Sequence, residues 1–265
     1  MSSVIRPTRR SRGTPSGRAL RPRIPDELAR KDSAGPITRR EISDEIDCAT
    51  WEALHQMPAA TDAGSEEVER ACTEISNVLR RRNVSPKDIG WPRPDILIPS
   101  LAAIRYSEIP SAFANLVASA MERVRAAQLL PAYVEILKQL SADEVAMLQA
   151  TPAPGRVFPS ADLVFVLPSR EVVVGYRHLV PPKLADSCRT KANIPQYVDN
   201  LLRLNLVYSP NAQTADEPSY RALTRPGFLQ DIRGRAPPGA RVELERRTLG
   251  ITNLGEHFRR ACLLD

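Results

Sequence analysis

The stretch "LKQLSADEVAMLQATPAPG", residues 137–155, constrains the fold most, because local chemistry fixes both ends of the helix it contains. Ser141 can accept a hydrogen bond from the amide of Glu144 while Glu144 reaches back to the amide of Ser141. Leu140 and Val145 flank this reciprocal cap at the spacing of a hydrophobic staple. The helix therefore begins at about residue 141. Val145 and Leu148, with Ala146 and Met147 beside them, supply its buried face. Pro152 and Pro154, which have no amide hydrogen to donate, and then Gly155 prevent its continuation.

Upstream, residues 39–83 read as two helices. "RREISDEIDCATWEALHQM" places Ile42, Ile46 and either Trp51 or Leu54 on one face; "GSEEVERACTEISNVLRRR" does the same with Val68, Cys72, Ile75 and Leu79. Early acids and the late Arg80, Arg81 and Arg82 suit the dipole of the second. "WPRPDILIPS" breaks the pattern, and "SAFANLVASAMERVRAAQ" then reads as one long helical region with Phe113, Leu116, Val117, Ala120 and Val124 on one face. Glu122, Arg123 and Arg125 interrupt it, which makes it a packing surface rather than a membrane helix.

Downstream, β-branched and aromatic residues in "ADLVFVLPSREVVVGYRHLVPP" form one or two strands. "LADSCRTKANIPQYVDNLLRLNLVYSPN" is helical and then extended, with Asn193 as cap and Pro195 in the first turn. Alternation at Val242 and Leu244, continuing to Arg246, marks a strand; Thr252 and Asn253 then start a terminal helix with Leu254, Phe258 and Ala261 inside. Helix, strand, helix, helix, hairpin is the order a winged helix needs. The expected fold class is thus α+β and mostly helical, a C-terminal winged-helix-like domain preceded by a helical region and a disordered N-terminal arm.

That arm carries the charge. Of the formal +6, residues 1–40 supply 11 Lys+Arg against 3 Asp+Glu, while the remainder holds 26 against 28. The Arg, Pro, Gly and Ser of "IRPTRRSRGTPSGRALRPRIPDELARKDSAGP" leave too few apolar residues to bury, so it is expected to stay solvated. Of the 37 basic residues 32 are Arg, which points to genome composition as much as to phosphate contact. No run approaches the roughly 18 apolar residues of a membrane span, and the first 30 residues lack the apolar segment of a secretory signal. The expected location is the cytoplasm, without membrane attachment. Cys48, Cys72, Cys188 and Cys262, like His55, His178 and His257, are too scattered for metal-ligand spacing. Neither a metal site nor a cofactor is expected.

Three segments, "AYVEILKQLSADEVAMLQA", "YVDNLLRLNLV" and "ITNLGEHFRRACL", in that order resemble the abortive infection alpha family, a bacterial domain linked to phage resistance. The resemblance covers roughly residues 110–265 and leaves out the arm and residues 39–83. Asn205 stands where the family pattern has Gly, and Asn tolerates the left-handed conformation better than most residues. The expected organisation is an arm at 1–38, a helical region at 39–110 and the family-like region at 111–265, with its winged-helix-like part at about 133–265. The resemblance implies that infected cells fail to support phage growth, and it brings no catalytic residue with it.

No Gly-rich phosphate loop with Lys, G-x-S-x-G elbow or H-E-x-x-H helix occurs, so an enzyme is disfavoured, although a site assembled in space leaves no local motif. The pairs Asp143-Glu144 and Glu66-Glu67 are read as helix starts. Two binding readings stay open. On the face of the 195–206 helix opposite Tyr197, Leu201 and Leu204, Gln196, Asn200 and Arg203 lie about one turn apart and are types that read base edges, with Arg189 and Lys191 to grip phosphate. The leading reading is contact with a host or phage protein, because charge outside the arm is near neutral and a duplex-binding face concentrates positive charge. The helical N-terminal part would then supply homodimerisation or regulation.

Overall fold

The computed structural model describes residues 39–55, 65–210, 215–224, 230 and 232–264; the expected arm at 1–38 lies outside them. The helix within residues 137–155 is α7 (Ala142–Ala150), and its capping box forms. The amide of Glu144 donates to Ser141 Oγ at 3.3 Å and the amide of Ser141 donates to Glu144 Oε2 at 2.7 Å. Before it come α1 (Arg39–His55), α2 (Ser65–Arg81), α3 (Pro94–Ile104), α4 (Pro110–Met121), α5 (Arg123–Ala126) and α6 (Ala132–Leu137). After it come strands β1 (Val157–Val166) and β2 (Val172–Leu179), helices α8 (Pro182–Ser187) and α9 (Ile194–Arg203), and strand β3 (Val207–Tyr208). The chain closes with α10 (Glu217–Arg221), β4 (Arg241–Ile251) and α11 (Asn253–Cys262). The fold is α+β and more than half helical, and all described residues belong to one unit, Arg39–Asp265.

Two helical readings are corrected. The segment "WPRPDILIPS" does not simply interrupt the helices: Pro94 opens α3 at the first turn, where its missing amide costs nothing, and the helix runs on through Pro99. An interior proline costs about 3 kcal/mol or more. Ile96 and Leu97, neither of them exposed at all, offset it by each packing into a different core. The region 111–128 is not one helix either. At Glu122 the backbone turns extended (φ −78°, ψ 109°) and bridges Ile89, so α5 starts in a new direction and Val124, expected inside, is 73% exposed.

Helix α4 sits between the two cores, with every residue from Ala112 to Met121 buried. Phe113, Leu116 and Ala120 face a core that holds α6, α7, α9 and α11; Ala114, Val117, Ala118 and Met121 face Ile46, Leu54, Ile75 and Leu79 of α1 and α2. Leu54, not the half-exposed Trp51, is the inner residue of α1, while Ile42 and Val68 lie outside the described side chains. The expected core of Leu148, Leu201 and Phe258 forms, with Leu204 partly buried against it.

The strands make a four-stranded antiparallel sheet in the order β2-β1-β4-β3. β1 and β4 pair without interruption from Val157↔Gly250 to Val166↔Arg241, so the strand expected at 242–246 is longer: its alternation ends at Glu245, and residues 248–251, all buried, carry the strand on, those at 248–250 opposite β1. Between β1 and β2 the register slips where Asp162 lies opposite Arg177 and His178. Its carboxylate accepts the amide of His178, whose φ is +52°. At the other end, Asn205 takes φ +55°, the left-handed turn its place in the motif requires. Thr252 caps α11 by accepting the amide of Gly255 at 2.8 Å, and its hydroxyl donates to Asn205 O at 2.7 Å. Gly255 is needed there: a Cβ on it would lie 2.0 Å from Leu206 O. No described helix is long and apolar enough to cross a membrane.

Candidate functional site

The face of α9 named from sequence is built from the inside outward. Asn193 occupies the cap position, though its side chain makes no capping bond, and Pro195 stands in the first turn. Ile194, Val198 and Leu201 are buried beneath, which turns Gln196, Asn200 and Arg203 away from the core. Gln196 and Arg203 are exposed and Asn200 is half-buried.

Asn200 and Arg203 meet each other and the start of α7. Arg203 donates through Nε (3.0 Å) and Nη2 (2.7 Å) to Asn200 Oδ1, and through Nη2 to Gln139 Oε1 at 2.9 Å. Asn200 Nδ2 donates to Gln139 O at 2.9 Å and to Glu144 Oε1 at 2.6 Å. Glu144 therefore uses one carboxylate oxygen for its cap and the other to hold α9.

Asp143 is more than a helix start, which corrects the reading of the Asp143-Glu144 pair. Its carboxylate is buried and accepts the amides of Arg189 (2.8 Å) and Thr190 (2.9 Å) and the hydroxyl of Tyr197 (3.0 Å). The two backbone amides hold its carboxyl below the usual carboxylate range. Arg189 thus serves this anchor through its backbone while its side chain is exposed, and Lys191 pairs with Asp186 at 2.5 Å. The flank of α9 nearest the sheet is tied as well, by His178 Nε2 to Asp199 Oδ1 at 2.9 Å.

At its other end α7 meets α11, where buried Arg259 donates to Thr151 O at 2.6 Å and pairs with Glu256 at 2.5 Å. The sharply bounded helix is thus a clamp between α9 and α11. Gln139, Asp143 and Glu144 were missed as part of this surface; the signal available was two consecutive acids where a capping box uses one.

The three sequence motifs thus sit side by side, as residues of α6–α7, of α9–β3 and of α11 in one core. The family model described as Abortive infection alpha matches residues 66–262. The chain belongs to the abortive infection alpha family. The match starts well before residue 110 and takes in α2, so the expectation that residues 39–83 lie outside it is corrected for 66–83. Among solved structures, an uncharacterized protein from the hydrocarbon-degrading marine bacterium Alcanivorax borkumensis SK2 is similar at 20% identity and a TM-score of 0.32, over 48% of this chain and 88% of that one. No curated protein matches. Among the described residues of this abortive infection alpha chain, no group of three or more His, Cys, Asp or Glu could hold a metal ion.

Proposed function

We propose that the protein is a non-enzymatic binding protein that acts in abortive infection by contacting a host or phage protein through a winged-helix-like part at about residues 133–265. The order α7, β1–β2, α8, α9 and the returning strands supports that reading, with α9 as the presented helix. Residues 39–110 would serve dimerisation or regulation, and the protein would work in the cytoplasm.

One observation favours protein over nucleic acid: Asn200 and Arg203 spend their donors inside the molecule, on Gln139, Glu144 and each other. A bidentate contact to a base edge draws on those same donors, and releasing them takes away the bonds through which Glu144 and Gln139 hold α9 to α7. Gln196 and the side chain of Arg189 remain as exposed contact groups, and with Lys191 they form a surface of mixed polarity.

The test is a pair of measurements on the full chain. Fluorescence anisotropy against duplex DNA and structured RNA at about 0.05 and 0.15 M salt should show no sequence-selective binding. A photo-crosslinking residue in place of Gln196 should trap the same single protein from infected cells in repeated experiments, and the trap should fail when the crosslinker is moved to an exposed position of α2. Sequence-selective duplex binding, lost in Asn200→Ala/Arg203→Ala, would reverse the order of the two readings.

A further inference from the structure

On another part of the surface, α5, α6 and α11 enclose a cavity of about 310 Å³ that the α9 reading does not use. Its walls are Leu129, Ala261 and Leu264, its floor is the ring of Tyr133, and Arg125 and Arg260 stand at its rim with His257 beside them. None of the described lining residues is acidic.

Two features point to a ligand. The first is Tyr133. It is 1% exposed and fixed edge-on to Phe258 at 5.5 Å between ring centroids, yet its phenol makes no hydrogen bond to any described residue. The ring is buried while the phenol oxygen opens on the cavity, where an atom of a bound molecule can partner it. Burial pushes the phenol upward, so it keeps its proton and can donate.

The second is the sharing of charge behind the rim. Glu122 faces Arg125 (2.9 Å) and Arg82 (4.0 Å); Glu256 faces Arg260 (2.6 Å) and Arg259 (2.5 Å). Glu256 thus serves two guanidiniums, so Arg260 at the rim is only partly balanced. Arg125 and Arg260 meet their acids through Nε; Arg125 Nη1 also donates to Arg260 O at 3.4 Å, while Arg260, 69% exposed at its side chain, keeps its outer nitrogens off any described residue.

We propose that this cavity binds a small organic anion, a phosphate, sulfonate or carboxylate carried on an apolar body. The anionic group sits between Arg125 and Arg260 at the rim, and the apolar body lies against Leu129, Ala261 and Leu264 with a hydrogen-bond acceptor toward Tyr133. The volume is at the lower end of the range for ligand sites, roughly 300 to 1,000 Å³, which suits a body of one or two rings and no polymer.

The probes are 8-anilinonaphthalene-1-sulfonate, followed by its fluorescence, and 1-naphthyl phosphate and 1-naphthol as competitors, all with the full chain. The expected result is saturable single-site binding that 1-naphthyl phosphate displaces at concentrations about tenfold lower than 1-naphthol, a difference of roughly 1.4 kcal/mol. Arg125→Ala/Arg260→Ala should weaken the probe about tenfold. Tyr133→Phe should weaken it severalfold without lowering the melting temperature, since no bond within the protein is lost; this variant keeps the proposal testable if the arginine pair proves structural. Absence of saturable binding up to about 1 mM, equal displacement by phosphate and naphthol, or binding unchanged in Tyr133→Phe and in the arginine variant would each overturn the proposal.

Discussion

Gly255→Ala is the substitution whose sign tests the packing argument most directly. Gly255 lies in the first turn of α11, where alanine would ordinarily gain about 1 kcal/mol of helix propensity. Here the new Cβ would stand 2.0 Å from Leu206 O, 2.8 Å from its carbonyl carbon and 3.0 Å from Ile251 Cγ1. The first two are backbone atoms and cannot rotate aside, so α11 must move off the turn at Asn205. That movement strains or breaks the bonds from the Thr252 amide to Leu206 O (3.1 Å) and from Thr252 Oγ1 to Asn205 O (2.7 Å). Overpacking costs about 1 to 3 kcal/mol, and two hydrogen bonds add about 1 to 3 kcal/mol. Set against the propensity gain, the net loss is about 3 kcal/mol, which for a folded unit of this size lowers the melting temperature by roughly 6 to 12 °C. Urea titration followed by far-ultraviolet circular dichroism would read it as a lower midpoint at unchanged slope. A variant as stable as the parent, or more so, would show that α11 does not sit on this turn.

Leu201→Ala removes a fully buried side chain from the core shared by α7, α9 and α11 and should cost about 2 to 5 kcal/mol in the same titration; a loss below about 0.5 kcal/mol would place the residue on the surface. Asp143→Asn should destabilise by about 1 to 3 kcal/mol at neutral pH, since an amide can accept fewer of the three bonds and has no charge to strengthen them. Because the carboxyl of Asp143 is held below the usual range in the folded state, its contribution is complete above about pH 4 and is lost as pH falls through the lower folded value. The gap between parent and variant should therefore close in acid, and a gap that widens there would refute the assignment. Cys48 is exposed while Cys72, Cys188 and Cys262 are buried, with the Cys72 thiol pushed up to about 11 by burial and then by Glu69 and Asp47. Ellman's reagent should find one fast thiol in the native protein and all four in urea, and a second fast thiol would contradict the packing of α2, of α11 or of the end of α8.

What could be read from the chain was local. The Ser141–Glu144 cap, the Thr252 start of α11 and the left-handed Asn205 each depend on residues within a few positions, and each stands in the structure as the sequence implied. What could not be read depends on partners far along the chain. Pro99 is tolerated inside a helix because Ile96 and Leu97 are buried by two separate groups of distant residues. Periodicity correctly turned Asn200 and Arg203 away from the core beneath α9, but it carries no record that Gln139 and Glu144 arrive on that outward face. The same limit applies to Asp143, whose partners lie more than 40 positions away.

The double burial of α4 governs how the chain can be divided. A helix with solvent on one side can lose its neighbours singly, but α4 has Phe113 and Leu116 committed to one set of partners and Val117 and Met121 to another. A chain begun at residue 111 would expose Ala114, Val117, Ala118 and Met121 as a continuous apolar stripe, prone to self-association, and would not leave an autonomous remainder. Folding is therefore expected to be cooperative across the whole of Arg39–Asp265, with α4 as the hinge pin that neither half can release alone. The family match, which opens at residue 66, includes the helix that closes this second face.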